Sequence, residues 1–211
     1  MNQICRYPFI NLPLCYSYSA LEPYIDCQTM RLHHDKHLQA YIDKLNKILS
    51  EHPELQNKSL RELLKNIENL PTELLKPIQN NAGGVYNHCF FFEGIAPPNR
   101  PARGKKLLSQ IQYQFGSRKN ACAALKEAAL SVFGSGYAWL VSKGGELSVL
   151  TTANQDTPNL NLYTPIWNID LWEHAYYLKY RQLRADYVDA VLCLMNLNCM
   201  EERYLRSLCS R

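Results

Sequence analysis

The chain has 211 residues, of which 46% are hydrophobic and 20% are charged, and its formal net charge is +4. A chain of this length and composition can bury a substantial core and is typical of a soluble globular protein. The mild, dispersed positive charge argues against nucleic-acid binding, and no apolar run reaches transmembrane length, so no membrane partner is predicted. The first residues also lack the uninterrupted hydrophobic segment of a secretory signal.

Cysteine usage indicates the compartment. None of the eight cysteines forms a C-x-x-C pair, and Cys89, Cys122 and Cys193 lie among apolar neighbours. Cysteines in such surroundings are typical of small side chains that fill a core. We therefore expect buried, reduced thiols and a cytoplasmic protein.

The N-terminal part predicts an extended arm followed by a long helix. Residues 7 to 18 contain prolines and tyrosines, which suits a segment lying over a surface. Ser19 and Glu22 have capping-box spacing, and Asp26 offers a second N-cap. Apolar residues then recur every three or four positions, which predicts a helix with one buried face.

Three side chains of this helix share one stripe. His33, His37 and Tyr41 are spaced by four residues, so they are neighbours on the helix surface. The stripe indicates a polar channel between helices, although a solvent-exposed face has the same pattern. Because His34 directly follows His33, spacing alone leaves open which of the two is a ligand.

Two further helices are predicted before the middle of the chain. Ser59 and Glu62 open a short amphipathic helix with a capping box, and Pro77 suits the first turn of a helix over residues 77–92. A pair of glycines inside this second helix costs about 1 kcal/mol each relative to alanine. Gly84 lies one turn before His88 on the same face, so the space above it either admits a side chain or allows close helix packing.

The second half predicts an antiparallel sheet between helices. Prolines at residues 97–101 indicate a linker. Residues 137–141 and 146–150 flank two glycines and predict a hairpin, and residues 162–169 supply a third strand that ends at Asp170. The predicted helices of this half lie at residues 106–115, 120–133, 176–184, 187–197 and 201–208.

The segment D-L-W-E-H-A-Y-Y at residues 170–177 carries the strongest indication of chemistry. A carboxylate at the end of a strand and an imidazole one turn into the following helix can converge on one metal ion bound by nitrogen and oxygen. The alternative is structural: Asp170 caps the helix and His174 is a core histidine.

Four segments taken together resemble one family. They are L-H-H-D-K-H at 32–37 with Tyr41, N-A-G-G-V-Y-N-H at 81–88, T-A-N-Q-D-T-P at 152–158, and D-L-W-E-H-A-Y-Y at 170–177. In this order and spacing they resemble the iron/manganese superoxide dismutases over nearly the whole chain. The resemblance implies an α+β fold, with an N-terminal helical-hairpin domain at residues 1–96. A C-terminal α/β domain around a three-stranded antiparallel sheet would follow at residues 101–211.

The resemblance also implies the reaction and the metal ligands. The matching positions are His33, His88, Asp170 and His174, holding one ion per subunit with a water or hydroxide as fifth ligand. The metal would alternate between two oxidation states and convert superoxide and protons to dioxygen and hydrogen peroxide. If the oxidised ion carries hydroxide and the reduced ion water, electron and proton move together and the charge of the site stays constant.

Gln155 resembles the glutamine that hydrogen-bonds the metal-bound solvent in this family. The manganese branch has glycine at the position of Gly84 and takes its glutamine from the T-A-N-Q-D segment, as this chain does. We expect Gln155 to fill the space over Gly84 and to tune the reduction potential. Manganese is therefore predicted, with iron as the alternative because Val85 and Tyr86 resemble the iron branch.

The remaining site residues are also assigned by resemblance. Tyr41 and His37 resemble the gateway that admits superoxide and relays protons. Glu173 and Tyr177 resemble residues that reach a partner subunit, which implies a homodimer or tetramer with shared sites. Trp172 and Trp139 would wall the metal with apolar surface. The chain departs from the family pattern at Phe92, Tyr137 and Leu197, where tryptophan is usual, and at Gln182, where asparagine is usual.

Two other functions remain as alternatives. A catalytically weakened, dismutase-like scaffold that binds metal or protein would account for the changed aromatic residues. A metallohydrolase would use the same ligands with a nucleophilic water, but no spare carboxylate is an evident general base.

Overall fold

The computed structural model describes residues 6–98 and 104–209. Its first part is helical, with α1 (Cys27–Leu32), α2 (Gln39–Ser50), α3 (Leu60–Lys65) and α4 (Thr72–Gly94). A π-helical turn (His33–Leu38) joins α1 to α2, and short 3₁₀ turns follow at Pro53–Leu55 and Ile67–Asn69. The helical hairpin is formed by α2 and α4, which pack against each other. The predicted linker at residues 97–101 lies mostly outside the described residues.

Local capping follows the sequence at two of three positions. Asp26 is the N-cap of α1 and accepts a hydrogen bond from the amide of Thr29 at 2.8 Å. Ser59 and Glu62 form the predicted capping box of α3. The predicted box of Ser19 and Glu22 is not formed, because the Glu22 carboxylate instead accepts from the amide of Cys27 at 3.0 Å. This carboxylate therefore supports the start of α1.

Helix α4 begins earlier than predicted. It starts at Thr72, after Pro71, so Pro77 lies inside the helix rather than in its first turn. A proline there removes one backbone hydrogen bond and usually disrupts a helix. Most residues of α4 from Ala82 onward are buried against both halves of the chain. This tertiary burial outweighs the local cost, which the sequence pattern did not include.

The described part of the second half contains a three-stranded antiparallel sheet in the order β2-β1-β3. The strands are β1 (Gly136–Lys143), β2 (Glu146–Ala153) and β3 (Thr164–Asp170), so the predicted hairpin and sheet are confirmed. Gly144 and Gly145 have positive φ angles, as the hairpin turn requires. The third strand begins two residues later than predicted. Asp170 is its last residue, and its Cα partner on β1 is Tyr137.

Helices α5 (Lys105–Phe115) and α6 (Arg118–Ser131) precede the sheet, and a 3₁₀ turn (Glu173–Ala175), α7 (Tyr177–Tyr180), α8 (Arg184–Leu192) and α9 (Leu197–Cys209) follow it. The helix predicted at 176–184 is wrong in length. Arg181 has a φ of +53° and ends α7 after four residues. Because a residue with positive φ cannot continue a right-handed α-helix, the chain turns there and starts α8.

Two expectations from composition have different outcomes. Cys193 is exposed, and Cys89 and Cys122 are half-buried, so the prediction that these thiols fill the core is wrong for Cys193 and only partly met by the others. Their helices turn these positions toward the surface. Within residues 6–98 and 104–209, no helix has the length and hydropathy needed to cross a bilayer.

A buried arginine joins the two halves. Arg203 on α9 is only 8% exposed. Its guanidinium donates to the carbonyls of Ile166 and Phe90, both at 3.2 Å, and to Glu93 Oε2 at 3.0 Å. It also lies 3.5 Å from the centroid of the Phe90 ring. This side chain therefore ties α9 to β3 and to α4, which carries one of the candidate ligands.

We expect Arg203→Ala to lower the free energy of unfolding by about 3 kcal/mol, because it leaves buried acceptors without a donor. Urea denaturation measures this loss. Arg206→Ala is the matched control, since Arg206 lies on the same helix with an exposed ion pair to Glu202, and its loss should change stability by less than about 0.5 kcal/mol. Equal effects of the two substitutions would contradict the role of Arg203.

Candidate metal centre

Four side chains from four separate elements converge between the two halves. His33 is the first residue of the π-helical turn, His88 lies in α4, Asp170 ends β3, and His174 lies in the 3₁₀ turn after it. One ligand atom of each lies within 4.8 Å of those of the others. Three of the side chains are fully buried and His174 is nearly so. The donors therefore lie mostly in the protein interior and do not form an exposed group of polar residues.

The atoms that face one another define the candidate donor set. Asp170 Oδ2 lies 3.2 Å from His33 Nε2, 3.5 Å from His174 Nε2 and 3.8 Å from His88 Nε2. The Nε2 atoms of His88 and His174 are 3.2 Å apart. Three imidazole nitrogens and one carboxylate oxygen thus surround one point. This donor set fits manganese, iron or zinc.

Hydrogen bonds behind the donors fix their orientation. His88 Nδ1 lies 2.7 Å from the carbonyl of Gly84, and because a carbonyl only accepts, Nδ1 carries the proton. This tautomer leaves the Nε2 lone pair directed into the cluster. Asp170 Oδ1 accepts from the amide of Trp172 at 2.9 Å, so Oδ2 is the oxygen left for an ion.

The charge state of the cluster suits a cation. Burial lowers the pKa of His33 to about 4, although the hydrogen bond with Asp170 opposes this shift. Burial and then the neighbouring His33 hold the pKa of His88 well below its usual value. Burial alone would raise the pKa of Asp170, but hydrogen bonds from His174 and His33 hold it well below its usual range. At neutral pH His33 and His88 are therefore uncharged and Asp170 carries a negative charge, which suits a cation.

The two adjacent histidines have different surroundings. His33 points into the cluster. His34 is also buried, but its Nε2 lies 3.0 Å from the carbonyl of Leu12 and its Nδ1 lies 2.7 Å from Asp35 Oδ1. Its contacts therefore hold the N-terminal arm against the helix. The geometry favours His33 as the ligand, which spacing alone left open.

Aromatic rings surround the cluster. Trp172 stacks on His174 with ring centroids 5.6 Å apart, and Phe92 packs edge-on against His33 at 4.8 Å. Trp139 lies one layer farther out, where it packs against Tyr137 at 5.7 Å. Trp139 was predicted, with Trp172, to wall the metal, and its contact with the cluster runs through Tyr137, whose ring centroid lies 6.5 Å from that of His88.

The glycine pair of α4 allows two close approaches. A Cβ on Gly84 would lie 2.4 Å from the ring of Tyr41, and a Cβ on Gly83 would lie 2.1 Å from the carbonyl oxygen of Gln155. The prediction that Gln155 fills the space over Gly84 is therefore wrong. Tyr41 fills that space, and the backbone of Gln155 lies over Gly83. The two glycines bring both residues to the cluster.

Gln155 is 3% exposed and belongs to a hydrogen-bond network beside the ligands. Its Nε2 donates to the Tyr41 hydroxyl at 3.1 Å. Its Oε1 accepts from the Tyr137 hydroxyl at 3.0 Å and from Asn87 Nδ2 at 3.3 Å. The sequence reasoning did not assign a role to Asn87, although its position directly before His88 was a usable signal. Tyr137 was noted only as a departure from the family pattern.

Comparison with known proteins identifies the family. The model "Iron/manganese superoxide dismutases, alpha-hairpin domain" matches residues 6–96, and the model of the C-terminal domain of the same family matches residues 103–203. The chain belongs to the iron/manganese superoxide dismutase family. The predicted family and its fold class are thereby confirmed.

Curated dismutase relatives are similar over nearly their full length. "Superoxide dismutase [Mn] 2" of Bacillus anthracis is 44% identical over 198 residues, covering 94% of this chain and 95% of that protein. The manganese superoxide dismutase of Thermus aquaticus is 43% identical, with 94% and 98% covered. That of Thermus thermophilus is 42% identical, with 95% and 99% covered.

The other predicted site residues lie at the open side of the cluster or outside it. His37 is exposed and stacks on His174, with ring centroids 4.2 Å apart. Glu173 is exposed, and Tyr177 is 45% exposed. Two departures from the dismutase pattern lie away from the cluster, since Gln182 is on the surface and Leu197 starts α9.

We expect His33→Ala to weaken manganese binding by more than about 100-fold, because the cluster loses one of its inward donors. His34→Gln is the matched control and should retain the metal, since both nitrogens of His34 have partners outside the cluster, Leu12 and Asp35. Metal analysis after dialysis, with circular dichroism to verify folding, measures both. Loss of metal from the His34 variant alone would reverse the assignment.

Proposed function

We propose that the protein is a superoxide dismutase that uses one manganese ion per subunit to convert two superoxide ions and two protons to dioxygen and hydrogen peroxide. The observation that carries this proposal is the convergence of three imidazole Nε2 atoms and one carboxylate oxygen at a buried point. The names of the relatives at 42–44% identity support it over nearly the whole chain.

The ligand roles of His33, His88, Asp170 and His174 are part of the proposal. When bound, the ion would supply one-electron chemistry, because manganese exchanges an electron and returns to its starting state. The protein has to hold this ion in both states without changing its own structure. Short contacts between donors on four separate elements support such rigidity, since moving one donor would require moving a helix or a strand.

We infer that residues on the solvent-facing side of the cluster deliver the protons. Burial raises the pKa of the Tyr41 hydroxyl, although the hydrogen bond with Gln155 opposes this shift, so Tyr41 is protonated at neutral pH. Gln155 Nε2 donates to its oxygen, which leaves the hydroxyl proton available toward the cluster. His37 is exposed and stacks on His174, so it lies where solvent reaches the cluster. We infer that these residues admit superoxide and pass protons inward.

The competing functions receive less support. Asp170 is the only buried carboxylate among residues 6–98 and 104–209, so a metallohydrolase would have no buried general base. A weakened scaffold was suggested by the aromatic departures. Phe92 and Tyr137 are both buried and pack against site histidines, so the substituted positions still hold aromatic rings against the cluster.

The metal assignment rests on relatives and on the glycine pair. The three relatives described above are named manganese enzymes. A Cβ at Gly84 would meet the ring of Tyr41, and Gln155 donates to the hydroxyl of that ring, which supports the glutamine arrangement of the manganese branch.

We also infer a homodimer, with sites completed by the partner. Glu173, directly before the ligand His174, is exposed, and Tyr177 and Leu178 shortly after it are exposed by 45% and 42%. Large apolar side chains exposed together are typical of an interface.

Two further inferences concern the whole chain. The chain divides into domains at 1–96 and 101–211, and it acts in the cytoplasm, as its cysteine usage suggested.

The first test is catalysis by the manganese-loaded protein. We expect superoxide decay well above that of free manganese, and we expect Gln155→Ala to keep its metal while turnover falls about 100-fold or more, because the donor to Tyr41 is lost. Pulse radiolysis with metal analysis measures both. The exposed Gln182→Ala serves as control. Decay no faster than that with free manganese would overturn the proposed function.

The second test concerns the dimer. We expect Glu173→Ala to weaken self-association about tenfold or more and to lower turnover in parallel, because one carboxylate would serve both the interface and the partner's site. Sedimentation velocity and activity on the same samples measure this. Glu146→Ala, exposed at the far end of the β-hairpin, should change neither. A monomeric wild type with full activity would contradict shared sites.

A further inference from the structure

Tyr137 lies where the sheet meets the candidate metal centre. It is fully buried and is the Cα partner of Asp170 across the β1–β3 pair. Paired residues of antiparallel strands project their side chains to the same face of the sheet. The hydroxyl of Tyr137 therefore reaches the metal-facing end of the Asp170 carboxylate.

The hydroxyl has two acceptors for one proton. Its oxygen lies 3.0 Å from Gln155 Oε1 and 3.1 Å from Asp170 Oδ2. A phenol has one O–H donor, so it can donate to only one of these oxygens at a time. The acceptor that does not receive the proton then faces the lone pairs of the hydroxyl oxygen, which is unfavourable in a buried site.

The Gln155 amide cannot easily turn over to relieve this conflict. Asn87 Nδ2 lies 3.3 Å from Gln155 Oε1 and also donates to the backbone carbonyls of Gln155 and Asp156. Turning the amide would place two N–H donors against each other. Asn87 therefore favours one orientation, with Nε2 toward Tyr41, and the direction of the Tyr137 proton decides whether that orientation is fully bonded.

We propose that Tyr137 is a positioning residue. Its hydroxyl couples the hydrogen bonding of Gln155 to the amount of negative charge on the Asp170 carboxylate that is not shared with a bound cation. An unshared carboxylate is the stronger acceptor and draws the proton to Oδ2. A carboxylate that shares its charge with a bound cation accepts less well, so the proton turns to Gln155 Oε1. The amide is then polarised, and its Nε2 becomes a better donor to Tyr41. This inference rests on the proposed ligand role of Asp170.

The chemistry of the side chain supports this role. Tryptophan, which the resemblance makes usual at this position, has one N–H donor and no acceptor, so it cannot alternate between two partners. Phenylalanine has neither. Tyrosine supplies a rotating donor at the contact between the ligand carboxylate and the glutamine.

The test uses zinc as a diamagnetic, redox-silent probe of the same donors. Protein labelled with ¹⁵N in its glutamines is titrated with Zn²⁺, and the Gln155 side-chain amide signal, assigned by its absence in Gln155→Ala, is followed by NMR. We expect a clear shift on zinc loading in the wild type and a shift reduced to half or less in Tyr137→Phe. Zinc affinity should change by less than about threefold, because the four ligands remain.

A second variant and a second readout separate positioning from packing. Tyr137→Trp should also lose the zinc-dependent shift, while keeping a donor to Gln155 in both states. In the manganese form, Tyr137→Phe should change the equilibrium between oxidation states about tenfold, or ~59 mV, at unchanged metal content. Tyr204→Phe, a buried tyrosine bonded to the Gly145 carbonyl, is the matched control and should match the wild type.

The outcomes are distinguishable from failure of the proposed function. A wild-type zinc shift and potential in Tyr137→Phe would show that the hydroxyl only packs, and would overturn the positioning role while the dismutase proposal stands. Failure of the wild type to bind zinc or manganese at this cluster would overturn the ligand assignment and this inference together.

Discussion

The buried carboxylate of Asp170 is the constraint on which the rest of the structure depends. An ionised group without a partner is costly inside a protein, so its surroundings must supply donors or a cation. The Trp172 amide satisfies one oxygen, and the other faces three imidazoles and the Tyr137 hydroxyl. Because burial also keeps His33 uncharged, the cluster retains a negative charge that a metal ion would neutralise.

The central helix α4 allows residues from both halves of the chain to meet at this carboxylate. Its buried length carries His88, while Gly83 and Gly84 let the Gln155 backbone and the Tyr41 ring approach from opposite parts of the chain. Behind it, Arg203 holds α4 to β3 and α9. Stability and chemistry are thus linked, because loosening the contact between the halves would separate donors that come from both of them.

Much of the architecture could be predicted from local patterns, and the errors have physical causes. The Asp26 cap, the α3 capping box and the β-hairpin depend on neighbouring residues, so their sequence signals were sufficient. Pro77 misplaced the start of α4 because tertiary burial supports a proline inside the helix. Helix α7 ends early because Arg181 has a positive φ angle, and the sequence has no glycine or asparagine there that would have predicted it.

By itself, the sequence determined the family, the order of helices and strands, and four ligand candidates, because these reside in local spacing and in motifs that survive as linear strings. The tertiary structure brought His33 rather than His34 to the cluster, as the resemblance implied and spacing alone left open. Only the tertiary structure decided that Tyr41 rather than Gln155 covers Gly84 and that the Tyr137 hydroxyl lies between two acceptors. These features depend on distances between side chains far apart in the chain. Such distances are set by how helices and sheet pack as three-dimensional bodies, which residue spacing does not encode.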